Sequence, residues 1–333
     1  LIWAKLALKD SKWNPSVTHL ETIEKLALIL RNLRHSDAGL PRFHGSCGDV
    51  DGQLDQALSH AESREISLSE TNVGYVKLSN SRTSVIIDAA PPLMSKEAVK
   101  ADASTLAFEM VSGQRRVFTS CGPGYLFGSD LSFSSRRTSS HCTVHIDNHD
   151  SSEFRSNEGW LQAPKKVIIN GPRTVPKEIS SNEGTKIFEG AHDGYVKNFG
   201  LTHVRKLKLS QDGQSFEGED LMIAIEDSHK RRFDKIFKKS GSTQMSVKAA
   251  FHLHPNVRVR FDRENNRVSL ALKNGELWFF NYSLDSYLQL EPTIFFENGL
   301  FEPLESKKLI LSTELAEYGT KINWSLTRAL DKD

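Results

Sequence analysis

Tyr75-Val76-Lys77-Leu78-Ser79-Asn80-Ser81-Arg82-Thr83-Ser84-Val85-Ile86-Ile87 is the stretch on which the fold class turns. Two β-prone runs, Tyr75 to Leu78 and Ser84 to Ile87, flank the turn formers Ser79-Asn80-Ser81, which is the pattern of an antiparallel hairpin. The same grammar recurs down the chain. Leu106 to Met110 and Arg116 to Phe118 flank Ser112-Gly113-Gln114. Further on, Asp212-Gly213 and Asn274-Gly275 are dipeptides that supply the positive φ of tight hairpins. The second leads into Leu277-Trp278-Phe279-Phe280, a strongly β-prone run. From about Val73 the period is therefore two, without intervening helices. That predicts a mainly β chain, a large antiparallel sandwich. No fixed-period repeat interrupts it. Residues 148–160 and 173–184 read as polar loops, and Arg231 to Lys239 as a basic loop, more simply a solvated charge run than an anion trap.

Ahead of this region the first 62 residues read as helical. Thr18 and Glu21 have capping-box spacing, followed by Ile23, Leu26, Ala27, Leu30 and Leu33 on one face. A second helix is expected after Asp51, with Leu54, Ala57, Leu58 and Ala61 as its buried stripe. Both stripes need a partner layer, either the rest of this chain or a helical domain outside it. Because the sequence opens at Leu1 within helical spacing, the expectation is the C-terminal part of something longer.

With 333 residues, 38% of them apolar, the chain can bury a substantial core as one large domain or two. Lys and Arg total 43 against 42 Asp and Glu, so no global field favours nucleic acid or a membrane surface. Three cysteines, Cys47, Cys121 and Cys142, lack CxxC spacing, which argues against a disulfide framework or a zinc finger. No run of 18 apolar residues occurs, so no membrane span is expected.

Ionisable residues concentrate between Ala191 and Pro255. This run contains His192-Asp193-Gly194-Tyr195, Thr202-His203-Val204-Arg205, Gly218-Glu219-Asp220 and Phe251-His252-Leu253-His254-Pro255. His252 and His254 alternate with apolar neighbours, so in a strand both imidazoles face one side, roughly 6–7 Å apart. A shared ligand suits them, and so does the wet face of a sheet. His141, His145 and His149 would make a metal stripe on a helix, but Thr143-Val144 and Ile146 make the segment a strand. Residues four apart then lie about 13 Å apart, and one metal cannot use two of them. His141 alone stays a candidate ligand. Tyr195, beside Gly194, is either an acid/base group or an edge aromatic with a wet hydroxyl. No P-loop, Gly-rich dinucleotide turn or nucleophile elbow is present.

Four segments and the C-terminus carry a resemblance to the heparinase II/III family of polysaccharide lyases, specifically its C-terminal β domain. They are Leu33-Arg34-His35-Ser36-Asp37-Ala38-Gly39-Leu40 with Phe43-His44-Gly45, Ala103 to Met110 with Cys121-Gly122, and Arg136 to Val144. The others are the Ala191 to Pro255 run and Lys321 to Leu326. The resemblance implies an N-terminal α/α toroid followed by a multilayer antiparallel β-sandwich. Residues 1–66 would then be the toroid's end or a linker, and 67–333 the sandwich domain. The implied chemistry is β-elimination on an acidic, uronic-acid-containing polysaccharide. A carboxylate-neutralising group acidifies the C5 proton, a Tyr or His base removes it, and an acid protonates the leaving oxygen. The toroid supplies the neutralising Asn or His and the catalytic Tyr, and the β domain a His-x-His pair.

At the positions of that pair stand Lys100 and Asp102, a further expected carboxylate falls near Ser120, and His141 matches its ligand position. His141, through the resemblance, and Tyr195, through its own setting beside Gly194, are the catalytic candidates. Lys100, His192, His252 and His254 become substrate-binding candidates, and Asp102 with His141 candidate ligands of a structural divalent metal. Asp and His with Ser form a weaker, harder site than an imidazole-rich zinc site. Expected partners are an acidic polysaccharide and the toroid, with no nucleic acid; a homodimer is compatible. The rival expectation is a catalytically degenerate carbohydrate-binding or envelope-polysaccharide assembly protein on the same scaffold.

Overall fold

The computed structural model describes residues 1–47, 52–61, 71–157, 165–240, 245–262, 267–315 and 317–329. Three helices come first: α1 (Ile2–Asp10), α2 (Val17–Asn32) and α3 (Gln53–Ser59). The cap of α2 lies two residues before the expected capping box. Ser16 is the N-cap, and its hydroxyl accepts the His19 amide at 3.2 Å. Ile23, Ala27, Leu58 and Ala61 bury against one another as a small core of their own. The two expected stripes thus meet in part; Leu26, expected in the first, is exposed instead. Polar contacts tie the end of this segment to the sandwich: Lys77 Nζ donates to the Arg34 carbonyl at 2.6 Å, and Arg116 Nη2 to the Leu40 carbonyl at 3.0 Å.

The hairpins follow the turn residues. β1 (Thr71–Asn72), β2 (Tyr75–Asn80), β3 (Thr83–Asp88), β4 (Phe108–Ser112) and β5 (Arg115–Phe118) form one five-stranded antiparallel sheet in chain order. Its third and fourth strands are buried on both faces, so they lie inside the molecule and not on its skin. After the short α4 (Ser129–Ser134), β6 (Val144–Ile146) joins a later sheet. β7 (Glu153–Asn157) and β8 (Lys165–Asn170) pair with each other.

β9 (Lys177–Asn182), β10 (Thr185–His192), β11 (Thr202–Leu209) and β12 (Ser215–Ile223) make a meander, with the short α5 (Val196–Phe199) between β10 and β11. Gly213, at φ 68°, lets the Asp212-Gly213 turn close β11 on β12. Two of the expected polar loops therefore contain strands, β7 and β9. Their outward side chains are hydrophilic, which hides the alternation from a sequence reading.

α6 (Asp227–Ser240) replaces the expected basic loop. Phe233 is buried, and Ile236 and Phe237 pack on the main core, so three apolar residues at i, i+3 and i+4 make this charged stretch helical. β13 (Met245–His252) follows, then β14 (Arg258–Asp262), β15 (Arg267–Ala271), β16 (Leu277–Tyr282), β17 (Tyr287–Phe295), β18 (Leu304–Leu315) and β19 (Gly319–Arg328). Two further sheets result, with strand orders β14-β15-β16-β19-β12-β11-β10-β9 and β17-β18-β13-β6. This is the mainly β, multilayer antiparallel sandwich expected from the sequence.

Between the layers Phe108, Phe118, Phe216, Phe251, Phe280 and Trp324 interlock. Phe251 meets Trp324 edge-on with ring centroids 4.9 Å apart, and Phe108 stacks on Trp324 at 5.5 Å. Rings drawn from three different sheets make this the contact that fixes the layers on one another.

Candidate functional site

Two groups of buried imidazoles and carboxylates among the described residues differ in how completely their atoms are used. The first is built on β10, β11 and β12, whose register places His192 opposite His203. The Gly194 amide donates to His192 Nδ1 at 3.1 Å, so the ring hydrogen sits on Nε2 and points at His203 Nδ1, 3.2 Å away. His203 Nε2 in turn donates to Asp220 Oδ1 at 2.9 Å.

The same carboxylate accepts Arg205 Nε at 2.6 Å, Arg205 Nη2 at 3.0 Å and Trp324 Nε1 at 3.2 Å. Arg205 Nη1 spans to the Leu106 and Cys142 carbonyls. Burial opposes ionisation of Asp220, but the Arg205 guanidinium and the hydrogen bonds from His203 and Arg205 hold its carboxyl well below the usual range. Each polar atom of this relay has a partner. It stitches three strands to the core and offers nothing to a ligand.

His192 and Tyr195 belong to this scaffold, against their assignment from sequence. Tyr195 is fully enclosed, and its hydroxyl donates to the Val144 carbonyl at 2.8 Å; burial pushes its ionisation far above the ordinary value. The turn into α5 carries the ring inward under Phe199, so the hydroxyl is neither wet nor at an edge.

His252 is likewise enclosed, donating through Nε2 to the Ser139 carbonyl at 2.8 Å, and burial first, then Lys308, lowers it to about 3. His254 points elsewhere, with its ring 5.1 Å from Phe295 and only partly covered. The strand ends at His252, and the backbone leaves the alternation on which the shared-face expectation depended. The pair therefore shares no ligand site.

The second group sits where the segment after α2 meets the start of the sandwich. The His44 amide donates to Asp102 Oδ2 at 2.5 Å, and the Asp102 amide donates to His44 Nδ1 at 3.0 Å, a reciprocal clasp. His44 Nε2 lies 3.1 Å from Asp88 Oδ2, which also accepts the Ser104 hydroxyl at 2.6 Å.

Two influences on His44 oppose each other. Burial works against charge, while Asp88 and then Asp102 draw the ring toward its charged form, up to about 9. Yet an N–H cannot face another N–H at 3.0 Å, so the Asp102 amide keeps Nδ1 an acceptor. The hydrogen-bond geometry decides for a neutral ring with its hydrogen on Nε2, toward Asp88. Asp102 itself is raised to about 6 by burial, against the pull of His44.

His141 completes the group at the end of the turn before β6. Its Nδ1 is 3.0 Å from the Ser120 hydroxyl and its Nε2 is 4.0 Å from Asp102 Oδ2. That Nε2 is buried without a hydrogen-bond partner, and burial holds the ring well below its ordinary pKa. Asp102, Ser120 and His141 thus lie together, with Lys100 lining the hollow beside Asp102.

The metal expectation does not fit the donor set. Among the described residues no three His, Cys, Asp or Glu side chains are placed so that they could hold a metal ion together. Asp102 and His141 offer two donors where a structural zinc takes four. A buried carboxylate nearby, Glu109, is already claimed by the Ser120 amide at 2.9 Å and by Arg42 and Arg116.

Lys100 and His44 both reach solvent at this place. The Lys100 ammonium lies 4.2 Å above the Tyr125 ring, and its stem covers Gly45, where any side chain would collide with it. A hollow of about 20 Å³ opens beside it between Gly45, Asp102, Tyr125 and Arg136. His44 and Asp88 were missed as site residues from sequence. The signal was present in the Phe43-His44-Gly45 segment but carried no role.

Comparison with known proteins follows the same line. Residues 67–325 match the family described as Heparinase II/III-like, C-terminal. FtsZ-localized protein C of Caulobacter vibrioides is 27% identical over 337 residues, covering 99% of this chain and 56% of that protein. The heparan sulfate lyase HepC of Pedobacter heparinus superposes with a TM-score of 0.68 at 13% identity, over 100% of this chain and 50% of that one. A heparinase III structure gives a TM-score of 0.64 at 14% identity, over 97% and 50% respectively. The chain spans about half the length of the proteins it matches.

Proposed function

Because this chain belongs to the heparinase II/III-like family through its C-terminal domain, we propose that it forms one wall of a cleft for an acidic, uronic-acid-containing polysaccharide. Lys100 meets the sugar carboxylate there. The observation that carries this reading is the contrast in access between the cation and the bases. Lys100 stands exposed over Tyr125, while Tyr195, His141 and His252 are enclosed. An exposed ammonium can neutralise a carboxylate, and that neutralisation is what makes the neighbouring C5 proton removable. Removing it takes a base within hydrogen-bond reach of the sugar, which an enclosed imidazole or phenol cannot provide. In this reading the proton transfers of β-elimination are performed by groups of the intact protein outside this chain.

The test is product formation by the full-length protein on a panel of uronate polymers, followed as ultraviolet absorbance of unsaturated uronate near 230 nm. Wild type is expected to form product on at least one polymer. Lys100→Ala is expected to lower kcat/KM about tenfold or more, the size of one lost charge-assisted contact of about 1.5–3 kcal/mol. Unchanged kcat/KM in that variant would remove Lys100 from the reading.

A second reading is binding without cleavage. One observation favours it: the reduced donor set of Asp102 and His141. Saturable binding of a uronate polymer with no absorbance change across the panel is the outcome that supports it.

A further inference from the structure

Four loops meet at the ends of the hairpins, away from Lys100. They are the segment Ser36–Asp37, the β4–β5 turn, the link from β13 to β14, and the β15–β16 turn. Together they enclose a hollow of about 230 Å³ walled by Arg115, Arg116, His254, Asn256 and Lys273. A second hollow of about 440 Å³, with Arg82 and Asn274, shares Gln114 and Arg115 with it, so the two run together as one groove. Neither shares a residue with the hollow at Lys100.

The groove has a surplus of positive charge, and the pairing shows where. The one carboxylate in its lining, Asp37, and Glu276, which bonds the lining residues Arg82 and Asn274, are already engaged. Asp37 takes Arg116 Nε at 2.8 Å and the Gly39 amide at 2.9 Å. Glu276 takes Arg82 Nη2 at 2.8 Å, the Ser112 hydroxyl at 2.6 Å and the Asn274 amide at 2.8 Å. Arg115 and Lys273 have no ion pair among the described residues.

Their partners are positioned by backbone. Gly113, at φ 58°, lets Arg82 lie across the β4–β5 turn, where a Cβ would stand 2.5 Å from its guanidinium. His254 registers the surplus from inside. Burial lowers it first, then Arg116 and Arg42, to about 4.

We infer that this groove is a second glycan site, in which Arg115 and Lys273 hold a sugar carboxylate while Gln114, Asn256 and Asn274 bond its hydroxyls. Arginine suits a carboxylate because its planar fork can meet both oxygens, and amides both give and accept hydrogen bonds as sugar hydroxyls do. Val257 and Leu272, the apolar lining, are buried, so no open apolar pocket is offered to peptide side chains. A glycan long enough to reach from Lys100 to this groove would be gripped twice, which raises its effective affinity without new contacts in the cleft. The identity of the ligand rests on the acidic-polysaccharide reading; the place and charge of the groove do not.

The experiment is calorimetric titration of the full-length protein with a tetramer of galacturonate and, as a charge-free control, its fully methyl-esterified counterpart. In a Lys100→Ala background, which removes the cleft contact, the acid tetramer is expected still to bind. Adding Arg115→Gln and Lys273→Gln, both exposed and without an ion pair among the described residues, is expected to weaken it at least tenfold. The ester is expected to bind at least tenfold more weakly than the acid. Equal binding by the groove variant and its parent overturns the inference, as does absence of acid-tetramer binding to wild type. Equal affinity for an acidic peptide of the same charge overturns the glycan assignment. A Lys100→Ala change without effect counts against the cleft reading and leaves the groove standing.

Discussion

The His192–His203–Asp220–Arg205 relay and the His44–Asp88–Asp102–His141 group are made of the same side-chain types, yet they do opposite work. In the first, hydrogens run in one direction from the Gly194 amide to the Asp220 carboxylate, and no polar atom is left over. In the second, His141 Nε2 is an orphan, and two members of the neighbourhood, His44 and Lys100, reach solvent. A density of imidazoles therefore says little about binding. The informative quantity is which donors and acceptors remain unspent once the fold is made.

The largest effect that can break this contrast is acid sensitivity. His35 and His252, lowered to about 3, and His145, lowered to about 4, are neutral in the fold. In each case burial is the first cause. Once the chain unfolds they titrate near 6.5, so below that pH the unfolded state binds more protons. Their contribution is complete above pH 6.5 and is lost as pH falls from there toward 3–4. Each imidazole contributes about 1.4 kcal/mol per pH unit in that window. Asp102, raised to about 6, offsets part of this below its own pKa. These four groups together are expected to cost on the order of 5 kcal/mol between pH 7 and pH 5. Urea midpoints across that range check it, and a flat profile would mean these rings are not enclosed.

Next in size is Asp220→Ala, which strands the Arg205 guanidinium among carbonyls. It is expected to lower stability by about 3–5 kcal/mol, the usual cost of breaking a buried pair from one side. Asp102→Ala, by contrast, releases an amide and a ring at a half-open place, and about 1–3 kcal/mol is expected. If chemical denaturation finds the two equal, the distinction between a closed relay and an open group fails.

A subtler test concerns His44 itself. Nitrogen chemical shifts at pH 7 should show a hydrogen on Nε2 and a bare Nδ1; an imidazolium signature would overturn the assignment made from the Asp102 clasp. The smallest effect is Ser16→Ala at the start of α2, expected to cost about 0.5–1 kcal/mol by thermal melting.

The fold was largely legible from turn chemistry. Asn274-Gly275 and Asp212-Gly213 place Gly at φ 90° and 68°, and only residues free of a Cβ adopt such angles readily. Local signals of that kind survive in a single sequence. α6 did not, because a surplus of Lys and Arg masked the spacing of Phe233, Ile236 and Phe237. The site was legible by halves. Resemblance drew Lys100, Asp102 and His141 together, but Tyr195 and His192 read as exposed candidates because burial depends on which sheet covers a strand. That information lies far away in the chain, as when Tyr195 reaches Val144. His44 escaped for the same reason: its partners Asp88 and Asp102 are brought by two other segments.

The helical segment keeps its own small core of Ile23, Ala27, Leu58 and Ala61, and the end of α2 is fastened to the sandwich by hydrogen bonds such as Lys77 to Arg34. Fastening of that kind sets a clock. Segments whose apolar clusters are separate can open independently and exchange their amides at their own rates. Deuterium should therefore enter α2 well before it enters β12. The His44 clasp lies between the two regimes, on chain that leaves the quick part and enters the slow one.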